Sequence, residues 1–163
     1  HAGALTTNKF LESANIINSF KKLSEKLSMH GYNNIDFKIL NEEVFVLDIN
    51  PRITSTFKIY NDTYNNDLLR LIINPHLDKK LESHNDNRYA FVHMFAKEEY
   101  KFKNFFMGDP TFINLPNEGQ RVGKNQPLLS IYLNSFSNLE LMRRLKEKIS
   151  ITTNLYNCYD IDI

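Results

Sequence analysis

Phe10, Ala14, Ile17, Phe20, Leu23 and Leu27 recur at helical intervals among Lys- and Glu-rich positions, which predicts an amphipathic helix over 8–31. Thr7 or Asn8 would cap its start and Gly31 its end. Its apolar stripe suits a helix lying on a sheet. From residue 34 the period changes to two. Ile35, Phe37 and Ile39 alternate with Asn34, Asp36 and Lys38, predicting a strand over 34–40. A second strand is expected over 44–49, with Asn41-Glu42-Glu43 as the loop of a hairpin.

Beyond the hairpin, 50–60 reads as a turn with a helix starting at Thr54 or Ser55. A further helix is expected over 64–73, stopped by Asn74-Pro75, and then a polar loop over 76–88. Residues 89–102 read as one or two strands turning at Lys97-Glu98-Glu99. Residues 108–127 hold three of the five glycines and three of the five prolines, so turns and short extended pieces are expected there. A strand over 127–133 precedes a helix over 137–150, where Ser137 and Glu140 have the spacing of a capping box. Residues 1–7 suggest no helix or strand. The fold class is α+β, an antiparallel sheet with packed helices.

Composition narrows the partners. Hydrophobic residues make up 42% and charged residues 24% of 163, ordinary for a globular protein. The net charge of +1 comes from lysines scattered among acids, without the basic stripe of a nucleic-acid binder. The aromatics are not interleaved with a basic patch, so no stacking platform is expected. One cysteine, Cys158, excludes a disulfide framework within the chain and disfavours a cysteine-based zinc site. No apolar run approaches a membrane span and no signal peptide is visible, so the chain reads as cytoplasmic. The first residue is His rather than Met, and a piece of something longer is expected.

The candidate chemistry lies in the hairpin. With a three-residue loop, Leu40 faces Val44, Lys38 faces Val46 and Asp36 faces Asp48, while Asn50 extends that face beside Asn34. If the chain stays extended, Asp48, Asn50 and Arg52 share it too. Like charges directly opposed destabilise a sheet, and a cation between them removes the conflict. Two carboxylates and an amide oxygen are hard ligands that suit Mg²⁺, and Arg52 could grip a phosphate or carboxylate. The same residues also fit a solvated hairpin face ending in an Asp-x-Asn-Pro turn, and a one-residue change of register would send Asp48 to the other face. None of the five histidines pairs with another at metal-ligand spacing. Ser55 and Lys58 could approach an anion, or could simply cap a helix and face solvent.

"GYNNIDFKILNEEVFVLDINPRIT" resembles the metal-binding hairpin of the ATP-grasp superfamily, in which an acid or amide on one strand is followed by a Glu-x-Asn-Pro-Arg-like signature on the next. Asp36 matches the first ligand, Asp48 and Asn50 the second pair, and Arg52 the basic residue that meets phosphate or the activated carboxylate. Asp48 stands where Glu is usual, one methylene shorter. "LPNEGQRVGKNQPLLSI" resembles a Pro-x-x-Gly-x-x-Ile-x-x-Gly-x-Pro segment of ligases similar to biotin carboxylase and tyramine–glutamate ligase. Pro116, Gly119, Val122 and Pro127 fall in place, with Asn125 at the second Gly. "HAGALT" resembles the segment before the long helix.

The resemblance implies the C-terminal lobe of an ATP-grasp fold over 1–75, a loop over 76–87 and a β-rich extension with a terminal helix over 88–163. It implies part of an ATP-dependent carboxylate–amine ligase acting through an acyl phosphate. Asp36, Asp48 and Asn50 would be metal ligands, Asn50 and Arg52 would be cofactor-binding, and Arg52 catalytic. The cofactors would be Mg²⁺ or Mn²⁺ and ATP; the substrates a small carboxylate and an amine. Nucleotide-binding N-terminal lobes of a parent protein would be partners, nucleic acid and membrane would not, and a homodimer is left open. The isolated chain is expected to be inactive. The alternative is a non-catalytic ligand-binding or interaction domain derived from such a lobe.

Overall fold

Residues 3–5, 14–41, 43–74, 76, 81 and 86–159 are described in the computed structural model. The chain order is β1 (Gly3–Leu5), α1 (Ala14–Lys26), β2 (Asn34–Leu40), β3 (Glu43–Asn50), α2 (Phe57–Thr63), α3 (Asp67–Ile73), β4 (Arg88–Phe95), β5 (Tyr100–Lys101), β6 (Phe112–Ile113), β7 (Arg121–Val122), β8 (Pro127–Ser135) and α4 (Asn138–Leu155). Two compact units result, one of residues 1–6 with 86–163 and one of residues 7–85. The α+β class with antiparallel sheets and packed helices is as expected.

In the unit of residues 7–85, α1 packs on the hairpin through Phe20, whose ring lies 4.9 Å from that of Phe37 on β2. The predicted first turns of this helix, 8–13, lie outside the described residues. The helix also stops earlier than Gly31. Ser28 takes the left-handed conformation at φ 49°, its N–H donates to the Glu25 carbonyl, and Met29 N–H donates to Ser24. That pair of bonds closes the last turn as a Schellman motif, with Ser where Gly is usual. The two helices expected after the hairpin form as α2 and α3, and α3 starts at Asp67 rather than Tyr64 because Asn65 and Asn66 both turn left-handed, at φ 49° and 67°. The buried amide of Asn61 fixes that corner by donating to Asn66 Oδ1 at 2.7 Å and accepting from Leu69 N–H at 3.0 Å.

In the other unit, four antiparallel strands lie in the order β1-β4-β8-β6. Gly3–Leu5, which suggested no element, pairs with Val92, Phe91 and Ala90. Alternate residues Ala90, Val92 and Met94 of β4 and Leu129, Ile131 and Leu133 of β8 join one core with Leu141, Leu145 and Ile149 of α4. The four-residue spacing of the helix positions is what lets a single stripe cover the sheet, each buried leucine contributing about 1.5–3 kcal/mol. Ser137 caps α4 by accepting from Glu140 N–H, but the other half of the capping box is missing. The Glu140 carboxylate instead holds Arg143 at 2.8 Å. In the tail segment Gly119 and Asn125 are left-handed, at φ 77° and 63°, Val122 is buried and Pro127 opens β8. Among the described residues no helix is long and apolar enough to cross a membrane.

Candidate metal centre

The connection between β2 and β3 is shorter than the expected three-residue loop. Leu40 faces Glu43, Lys38 faces Phe45 and Phe37 faces Val46. Asn41 makes the sharp reversal possible at φ 50°, while Glu42 lies outside the described residues. Carried on unchanged, this register would put Leu47 opposite Asp36 and send Asp48 to the far face. A β-bulge intervenes. Leu47 is the extra residue between the Phe37–Val46 pair and the next one, and beyond it Asp36 faces Asp48, Ile35 faces Ile49 and Asn34 faces Asn50. The opposed carboxylates expected from the sequence are therefore present, produced by a tighter turn and a compensating bulge.

Both carboxylates are held by amides of their own strands. Asn34 Nδ2 donates to Asp36 Oδ1 at 2.9 Å, and Asn50 Nδ2 donates to Asp48 Oδ2 at 3.1 Å. Asp48 Oδ1 also accepts from Ile49 N–H at 2.8 Å. Asp36 is half-buried and Asp48 exposed. Arg52 does not share the ladder, because β3 ends at Asn50 and Pro51 cannot donate to a strand. The Arg52 guanidinium is exposed and donates to the Ile53 carbonyl at 3.2 Å. The structure thus brings Asp36, Asp48 and Asn50 together and sets Arg52 just past the strand end. Asn34, expected on this face as a neighbour only, is the fourth polar group there. The signal for it is plain in hindsight: Asn34-Ile35-Asp36 is Asp48-Ile49-Asn50 read backwards.

The donor set fits a partial Mg²⁺ or Mn²⁺ site. Among the described residues no group of three or more His, Cys, Asp and Glu could hold a metal, so no all-protein cage exists there. Two opposed carboxylates with amide oxygens beside them are what Mg²⁺ accepts when phosphate oxygens and waters complete its shell.

The remaining candidates fall elsewhere. Thr56 precedes α2 as its N-cap residue, ahead of Thr54 and Ser55, although its side chain caps nothing. Lys58 is paired with Asp62 at 2.8 Å. His93 is packed, with Nδ1 2.9 Å from Ser130 Oγ and its ring edge-on to Phe91; burial lowers its pKa. His30 and His76 are exposed, and His1 and His84 lie outside the described residues.

The family model described as ATP-grasp domain matches residues 1–56, the stretch that contains the hairpin. Uncharacterized protein MJ0776 of Methanocaldococcus jannaschii is 27% identical over 139 residues, covering 80% of this chain and 33% of its own length. The chain thus spans about a third of that relative. Among solved structures, the biotin carboxylase domain of a single-chain bacterial carboxylase is similar in fold, with a TM-score of 0.63 at 10% identity, over 91% of this chain and 40% of that one. A single-chain, multi-domain long-chain acyl-CoA carboxylase gives 0.65 at 13% identity, over 92% of this chain and 19% of that one. The ATP-grasp resemblance read from the hairpin is borne out by the family match and by the fold.

Proposed function

We propose, from the ATP-grasp character of residues 1–56, that this chain is the cation-binding C-terminal part of a cytoplasmic, ATP-dependent carboxylate–amine ligase. The observation that carries the reading is the Asp36–Asp48 pair, opposed across a hairpin that lies inside the matched segment. Asp36 and Asp48 would hold Mg²⁺ or Mn²⁺, with the Asn50 amide oxygen as a third ligand. When bound, the cation neutralises charge on the β- and γ-phosphate oxygens of ATP. Arg52 would leave the Ile53 carbonyl and grip the transferred phosphoryl oxygens in bidentate fashion. The substrate carboxylate attacks the γ-phosphorus, ADP leaves, and an acyl phosphate forms. The amine then attacks the acyl carbon, expelling phosphate. Arg52 stabilises the charge that develops in both steps.

A nucleotide has to be fixed from several sides for such transfer, and one hairpin supplies only one of them. Adenine contacts and phosphate-binding lysines would come from other lobes of a longer protein, in keeping with the greater length of the relatives. The apolar side chains that β3 leaves in solvent, Phe45 at 47% and Leu47 at 60% exposure, suit a surface that such lobes cover. A second reading, a non-catalytic lobe, is favoured by the shorter Asp48, whose two oxygens are both engaged within its own strand.

Phosphorus NMR tests the proposal on a longer protein carrying this chain, supplied with Mg²⁺, ATP and candidate carboxylate and amine pairs. ADP and phosphate are expected, and Asp48→Ala should abolish them. AMP with pyrophosphate would overturn the mechanism, and turnover unaffected by Asp48→Ala would overturn the site.

A further inference from the structure

We propose that Asn34 is a positioning residue of this site. It fixes the Asp36 carboxylate and through it sets the affinity for a divalent cation, an inference that rests on the cation reading of the hairpin. Asn34 and Asp36 are two apart on β2 and share its face. The amide of Asn34 reaches along the strand to Asp36 Oδ1 at 2.9 Å. Asn50 does the same for Asp48 on β3, and the register sets amide against amide and carboxylate against carboxylate. The reversed tripeptides therefore build two ranks, one of donors and one of anions, with the isoleucine pair between them pointing to the opposite face.

Two carboxylates opposed across a ladder repel, and each lowers its energy by rotating outward. A donated N–H offsets that tendency and holds the carboxylate in place. A neutral donor does so without cancelling the charge that attracts a cation, whereas a lysine or arginine at position 34 would occupy the cation's place. An amide also keeps its carbonyl oxygen for water or for the cation. Groups that orient metal ligands in this way typically change affinity by about 10- to 100-fold when lost.

Mn²⁺ binding to the 163-residue chain, read as loss of the free-ion EPR signal, tests this alongside thermal melts without the ion. Asn34→Leu should weaken Mn²⁺ about 10-fold or more. Asn34→Lys, which puts an ammonium in the cation's place, should abolish binding and raise the melting temperature of the cation-free protein. If Asn34→Leu fails to fold, Asn34→Ala decides, because it also removes the amide donor and adds no charge. Retained affinity in any folded variant, with binding lost in Asp48→Asn, overturns the role of Asn34 alone. Equal Mn²⁺ binding by wild type and Asp48→Asn, or none by wild type, overturns the cation reading beneath it.

Discussion

Asp109 shows how a single carboxylate can organise a loop that has no regular structure. Its Oδ1 accepts from both the N–H and the hydroxyl of Thr111, and its Oδ2 holds Lys148 of α4 at 2.7 Å. Burial alone would raise its pKa, but the bonds from Lys148 and Thr111 outweigh it and hold the carboxyl below its ordinary 3.8. The folded state thus binds this proton more weakly than the unfolded one. The stabilisation is complete above about pH 3.8 and drains away as pH falls through the lower, folded value. Asp109→Asn should cost about 1–2 kcal/mol at pH 7 and little in strong acid, measured by denaturant titration across pH.

His93 has the opposite consequence. Burial depresses its pKa below 6.5, so the unfolded chain takes up the proton first and stability declines as pH drops below 6.5. His93→Gln should flatten that part of the profile. At the hairpin, Asp48→Asn should stabilise the cation-free protein by about 0.2–1 kcal/mol by removing the cross-strand repulsion. A marked loss in thermal melts would instead give Asp48 a structural role.

At the scale of elements, helix and strand identities were legible wherever periodicity ran for a turn or more, as in α1, β2, β3, β8 and α4. Ends and registers were less so, because they depend on backbone conformations that several residues can supply. Gly31 was the evident stop for α1, yet Ser28 took the left-handed position first. Such a residue carries about 1–2 kcal/mol of backbone strain that glycine lacks. Ser28→Gly should recover part of it, about 0.5–1 kcal/mol in chemical denaturation.

The hairpin is more instructive. The expected Leu40–Val44 and Lys38–Val46 pairs do not form, but the Asp36–Asp48 pair does, because the bulge at Leu47 makes up for a loop one residue shorter than expected. Nothing in an alternating pattern announces a bulge, since Val46-Leu47 reads as an ordinary apolar pair. What pointed to the candidate site was its chemistry, two opposed carboxylates whose repulsion a cation would relieve. Arg52 was carried too far by the same alternation, which Pro51 interrupts. The strand β1 was illegible for a different reason: three residues show no period, and their partner follows only after residues 7–85 in the sequence.

At the scale of the molecule, the aromatic cluster around Tyr156 ties the end of α4 to the 102–106 segment. Its ring stacks on Phe102, its hydroxyl donates to the Lys103 carbonyl at 2.7 Å, and the same oxygen accepts from Phe105 N–H. Tyr156→Phe keeps the stack and leaves the Lys103 carbonyl unpaired. It should cost about 1–3 kcal/mol, read by a probe within this unit because the two units need not unfold together.

The pairing of β1 with β4 also gives the chain a history. On the ribosome, Gly3–Leu5 emerge before β4 and cannot enter their sheet until it follows, and all of residues 7–85 are made in between. Closing so long a loop adds little free energy beyond a shorter one, so the finished protein tolerates the arrangement. The delay matters during synthesis. Until β1 docks, the apolar strand β4 is a bare sheet edge of the kind that recruits strands from neighbouring chains. A polypeptide starting at residue 86 would keep that edge permanently, and its apparent mass by light scattering should rise with concentration more steeply than that of residues 1–163.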